Sequence, residues 1–223
     1  MAQAPTLRLV SNRDTPEPAD HVPPALSVAV RGMQFGDKAV LGAIDLKLAP
    51  RETVAITGPS GVGKTTLMRI IAGLEHRFDG DIRRPDKLAM VFQEPTLMRW
   101  RTVADNLAIT LGLTPADIGI ALEEVGLAGR GDAFPDQLSL GQQRRLSLAR
   151  AFAGKPDVLL MDEPFVSLDA DLSDEMMTLF ERLRDNHPVA TLLVTHAIPE
   201  ADRLATRILE LSGQPARLKL RGA

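Results

Sequence analysis

Gly58-Pro59-Ser60-Gly61-Val62-Gly63-Lys64-Thr65-Thr66 has residue types and spacing suited to holding a chain of phosphates. Gly58, Gly61 and Gly63 let the backbone curl so that successive N–H groups point inward at anionic oxygens. Lys64 can reach the β- and γ-phosphates of a nucleoside triphosphate, and Thr65 presents a hydroxyl to Mg²⁺. An apolar run, Thr53–Thr57, precedes the loop. Leu67, Ile70, Ile71 and Leu74 follow it at helical spacing. The motif therefore spans a strand–loop–helix junction, where the helix N-terminus adds a positive dipole end.

Four further stretches carry groups that could act on a bound triphosphate. Asp162 and Glu163 close the apolar run Val158–Met161. An acid there can hold Mg²⁺ beside the phosphates, and a neighbouring carboxylate facing another way can orient attacking water. Gln93 closes a second run, Leu88–Phe92, and its amide could touch the metal or the water. Alone, a glutamine there is ordinary polar surface. His196 follows a third run, Thr191–Thr195, and an imidazole there can donate to a γ-phosphate or serve only structure. Leu138-Ser139-Leu140-Gly141-Gln142 reads two ways. Ser139 with Gln142 is a capping box, while an exposed helix start with a serine hydroxyl and a flexible Gly141 is also an anion site.

These residues need a scaffold that brings distant segments to one edge. The first 25 residues are rich in proline and polar groups and read as a flexible tail. Leu26, Val28 and Val30 alternate, Gly36-Asp37-Lys38 makes a turn, and Leu41, Ile44, Leu46 and Leu48 follow; the spacing predicts two antiparallel strands. Gly73 marks a helix C-cap. Thr102 with Asp105, Thr114-Pro115 and Ser139 mark three helix starts, so residues 97–154 form a helical block. Afterwards strands and helices alternate: Val158–Met161, a helix burying Leu172, Met176, Leu179, Phe180 and Leu183, Ala190–Val194, a helix near Pro199, and Arg207–Leu211. That order predicts an α/β core with a mostly parallel sheet covered on both faces, whose ligands sit at the strands' carboxyl ends. Gly58, Gln93, Asp162 and His196 all fall at such ends.

At 223 residues, 44% hydrophobic and 25% charged, the chain suits one large α/β domain. Its net charge of −3 gives no electrostatic support for nucleic acid as a partner. It holds no cysteine, which excludes disulfides and thiolate metal sites. No apolar run is long enough to span a bilayer, and no secretory h-region is present near Met1.

The order Gly58–Thr66, Gln93, Leu138–Gln142, Met161-Asp162-Glu163, Ser167-Leu168-Asp169 and His196 resembles the nucleotide-binding subunit of ATP-binding cassette (ABC) transporters. The resemblance covers about residues 26–212. It implies a P-loop core with an N-terminal antiparallel β subdomain and the inserted helices, forming one ATP-binding domain over residues 26–223. It implies an ATPase using ATP and Mg²⁺, with Thr65, Gln93 and Asp162 near the metal, Glu163 as general base and His196 on the γ-phosphate. Phe35, where tyrosine is commoner, would stack on adenine. Gly58–Thr66 would hold phosphates together with Ser139, Gly141 and Gln142 of a second copy, and Asp169 would lie at that interface. Leu140 stands where the family usually has glycine, which bears on coupling more than on binding.

The resemblance further implies a homodimer bound to transmembrane permease subunits at the cytoplasmic face of the inner membrane, served by a separate solute-binding protein. Phe92–Asn106 is similar to the nitrate, sulfonate and taurine importer ATPases, although Met98-Arg99-Trp100 stands where those read Leu-Pro-Trp. Trp100 is then either a buried anchor of the helical block or part of a groove for a membrane-subunit helix. An exporter subunit or a non-transport ABC ATPase is the alternative at this point.

Overall fold

The computed structural model describes residues 23–221, so the proline-rich stretch up to residue 22 lies outside the described residues. Ten strands form one sheet whose backbone path runs β3-β1-β2-β10-β9-β4-β8-β7-β6, with β5 paired to β1. The strands are β1 Leu26–Phe35, β2 Lys38–Leu41, β3 Ile44–Leu48, β4 Thr53–Thr57, β5 Asp79–Arg83, β6 Leu88–Val91, β7 Val158–Asp162, β8 Ala190–Val194, β9 Arg207–Gly213 and β10 Ala216–Leu220. The run β9-β4-β8-β7-β6 is wholly parallel, and β4, β7 and β8 are buried along their whole length. Continuous apolar strands are what a sheet covered on both faces requires. The expected α/β class and mostly parallel core are borne out.

The helices are α1 Lys64–Ala72, α2 Val103–Leu111, α3 Pro115–Glu124, α4 Leu140–Ala153, α5 Ala170–Asn186 and α6 Ile198–Leu204, with one 3₁₀ turn at Pro135–Gln137. Their starts follow local chemistry. Thr102 Oγ1 accepts from the Asp105 N–H at 3.1 Å, and Thr114 Oγ1 from that of Asp117 at 3.3 Å. Ser139 and Gln142 form the full reciprocal box that begins α4. Gly73, in the left-handed region at φ 75°, ends α1.

Side chains on β7 alternate between two cores. Val158 and Leu160 pack with β1–β4, α1 and β8, whereas Leu159 and Met161 pack with α2–α5. The helices between β6 and β7 thus share a core with α5 and the underside of the sheet. Phe152, 1% exposed, sits at that seam with its ring 6.2 Å from Phe180 and 5.9 Å from His187.

Several local expectations are corrected. The second alternating run is two strands, not one: the chain breaks at Gly42, whose N–H donates to Ala216 O at 2.8 Å, and β2 and β3 both pair antiparallel with β1. A strand for which no expectation was stated, Asp79–Arg83, pairs antiparallel with β1. Beyond the expected last strand, β9, the chain adds β10, which returns antiparallel along it. Leu74 lies past the α1 cap and is exposed, so helical spacing carried one residue too far.

Phe152→Ala should destabilise the protein by about 3–5 kcal/mol in urea denaturation. A change under about 1 kcal/mol would show that the inserted helices and α5 do not share a core.

Candidate functional site

The loop between β4 and α1 folds around its own lysine. Lys64 is 5% exposed, and its Nζ donates to Gly58 O at 2.8 Å and to Pro59 O at 3.0 Å. Gly58 has φ 145°, and a Cβ there would meet Leu211 O of β9 at 2.3 Å, so the loop enters through a space only glycine fits. The third direction of the ammonium faces Glu163 Oε1 at 3.5 Å. Glu163 Oε2 in turn meets His196 Nδ1 at 3.2 Å. Three residues from three separate segments are therefore joined by one carboxylate at the carboxyl ends of β4, β7 and β8. A cavity of about 480 Å³ beside the loop is lined by Thr57–Ser60, His196, Ile198, Glu210 and Arg221.

Asp162 lies beneath this group, 6% exposed. Burial is the main force raising its pKa, with the Glu163 charge adding to it; the neighbouring Thr65 hydroxyl and the charge of Lys64 oppose the shift. Its Oδ1 is buried without a hydrogen-bond partner. A desolvated carboxylate oxygen left bare beside a threonine hydroxyl fits a hard divalent cation such as Mg²⁺. Among the described residues no three acidic or histidine side chains cluster as a metal cage. Mg²⁺ commonly takes few protein ligands and completes its shell with phosphate and water.

Gln93 lies two residues beyond β6, with an exposed side chain. Its carbonyl accepts from the guanidinium of Arg144, a residue that sequence reasoning passed over. Helical spacing held the signal, since Gly141, Arg144 and Leu148 fall on one buried face of α4. Arg221 and Glu210 at the loop cavity were also missed; Arg221 follows the strand that was not expected.

Phe35 is 43% exposed and Arg77 Cζ sits 5.3 Å from its ring centroid. The cavity of about 880 Å³ that it lines also includes Leu41. A Cβ added at Gly63 would lie 2.8 Å from Leu41 Cδ2, so β2 connects this cavity to the phosphate loop.

At the start of α4, Ser139 Oγ accepts from Gln142 N–H at 3.3 Å and Gln142 Oε1 accepts from Ser139 N–H at 3.0 Å. The structure does not bring Ser139–Gln142 into the lining of the loop cavity. The expectation that Gly141 is flexible is corrected. It is buried in the helix, and a Cβ there would meet Leu172 Cδ1 of α5 at 2.9 Å, so it serves close packing. Leu140, by contrast, is 46% exposed. Trp100 is 75% exposed between two exposed arginines, which rules out the buried-anchor reading.

The ABC transporter family model matches residues 41–166, more than half the chain. Among similar proteins are aliphatic sulfonates import ATP-binding proteins from three bacteria. That of Paraburkholderia xenovorans is 45% identical over 199 residues, covering 87% of this chain and 80% of the relative. That of Granulibacter bethesdensis is 44% identical over 190 residues, covering 84% and 80%. That of Pseudomonas fluorescens is 48% identical over 183 residues, covering 80% and 70%.

The raised pKa of Asp162 has a consequence for stability. The folded state holds this proton more tightly than the unfolded state. Its contribution to stability is therefore lost as pH rises from the ordinary carboxylate range through the raised folded-state value. Asp162→Asn should raise Tm at neutral pH without divalent cations, by about 2–4 °C per kcal/mol relieved. A Tm equal to or below wild type in calorimetry would contradict the strain assigned to this carboxylate.

Proposed function

The chain belongs to the ABC transporter family, as an ATP-binding subunit with ATPase activity, and on that premise we propose that it drives uptake of a small solute, an aliphatic sulfonate or a related compound such as nitrate or taurine. The observation that carries the catalytic part is the single carboxylate of Glu163, set between Lys64 and His196. The import direction and the solute class are supported by what the similar bacterial proteins are called.

In this reading residues 26–223 act as one ATP-binding domain, with residues 97–154 inserted. The loop N–H groups, Ser60 and Thr66 surround the phosphates, and Lys64 turns its ammonium from the loop carbonyls to the β- and γ-oxygens. Phe35 offers a ring face to adenine. Thr65 and Asp162, with Gln93 reaching the same place, would hold Mg²⁺, which would supply positive charge beside the phosphates. Water attacks the γ-phosphorus as the bond to ADP breaks, and Glu163 takes the water's proton. His196 donates through Nδ1 to Glu163 and, when protonated, through Nε2 to the γ-phosphate.

Two copies would share each site. Ser139, Gly141 and Gln142 of one copy meet the γ-phosphate held by the other, with Asp169 alongside, so ATP binds the closed dimer better than the open one. The exposed N-terminus of α4, which does not line its own loop cavity, supports this arrangement. Opening and closing would move permease subunits, which receive solute from a separate binding protein. Among the described residues no helix is long and apolar enough to cross a membrane. On this reading the subunit sits peripherally at the cytoplasmic face, held by the permease, with exposed Trp100 against it.

Glu163→Gln should lower kcat by about 10²–10⁴-fold while ATP affinity by calorimetry is retained. Near-normal phosphate release would remove Glu163 from the base role. Ser139→Arg should leave ATP binding to the monomer intact and abolish ATP-dependent dimerisation. Equal dimer formation by light scattering would leave Ser139 as a helix cap only.

A further inference from the structure

Arg144 is 4% exposed, yet among the described residues no carboxylate lies within 4.0 Å of its guanidinium. Instead it donates through one terminal nitrogen to Gln93 O and through the other, at 3.5 Å, to Val166 O. Its Nε has no partner at all. Burial pulls the guanidinium below its ordinary pKa, against the more distant pull of Glu94. An arginine nonetheless stays charged, and burying an unpaired charge opposes folding. An apolar side chain of similar length would fill the space without that penalty, so packing gives no reason for arginine here.

The two carbonyls belong to the segments that carry the chemistry. Gln93 sits in the stretch after β6. Val166 lies in the stretch after β7, between Glu163 and Ser167, whose φ values are 47° and 63°. Left-handed backbone at two non-glycine residues persists only where surrounding structure holds it. Arg144 itself is in the first turns of α4, shortly after Ser139 and Gln142. One side chain thus ties the helix that would face the partner's ATP to both segments that would act on the chain's own ATP.

We propose that Arg144 is a positioning residue that couples displacement of α4 to the placement of Gln93 and Glu163. The planar guanidinium bridges two carbonyls on different segments at once, which a lysine ammonium reproduces only in part. The inference rests on the roles proposed above for Gln93 and Glu163.

The test uses the full-length protein with Arg144→Met, Arg144→Lys and Glu163→Gln. ATP affinity is read by calorimetry, kcat by phosphate release per folded molecule, and backbone mobility by hydrogen exchange. Arg144→Met should lower kcat about tenfold or more with ATP affinity within about threefold. Exchange should quicken together in residues 93–96 and 165–168, and Arg144→Lys should fall between Met and wild type. If the Met variant does not fold, the Lys variant decides, by lowered kcat with faster exchange in both segments. Unchanged kcat, or faster exchange in one segment alone, would overturn the coupling. Wild-type kcat in Arg144 variants beside an inactive Glu163→Gln would sink this inference only. Normal hydrolysis by Glu163→Gln would sink the catalytic reading on which it rests.

Discussion

The ammonium of Lys64 is the contact on which the rest of the site depends. It is buried, and a buried lysine must find acceptors or lose its charge. Gly58 and Pro59 carbonyls supply two, and Glu163 supplies the third. That requirement fixes the curl of the loop, the direction of Glu163 and, through the Glu163 carboxylate, the side of His196. It is met only because β4, β8 and β7 are parallel neighbours, so that their carboxyl ends coincide. Strands β1, β2 and β10 flank this arrangement, with Leu41 of β2 packed against the loop.

Beneath the lysine, the fold tolerates a second tension. Asp162 is buried with one oxygen unsatisfied, and Glu163 beside it adds like charge. Such a carboxylate weakens the folded protein, and a divalent cation held there, as proposed, would relieve that weakness. Arg144 repeats the pattern with the opposite sign: a buried charge held by backbone carbonyls. Both departures from packing logic lie around the same strand end, where sites characteristically carry strain.

Much of this was legible in the chain because it rests on local chemistry. Glycines at 58, 61 and 63, the capping residues Thr102, Thr114 and Ser139, and the apolar runs of β4, β7 and β8 each declare themselves within a few residues. What escaped depends on contacts far along the chain. The break at Gly42 exists because Ala216 accepts its N–H, and β10 is a short run with charged residues that reads as a tail until β9 pairs with it. Gly141 looked permissive because its demand comes from Leu172 of α5. Arg144 drew no notice, although the period of its neighbours placed it inward.

The proposed sharing of each ATP, between the phosphate loop of one copy and the α4 start of another, can be tested directly because the chain has no native cysteine. Ser60→Cys and Leu140→Cys, both at exposed positions, would be made in separate chains and mixed under mild oxidation. The expected result is a disulfide-linked dimer, one chain of each kind, that forms with ATP and is absent without nucleotide. A mixture that stays monomeric with ATP, while both variants still bind ATP, would contradict the shared site.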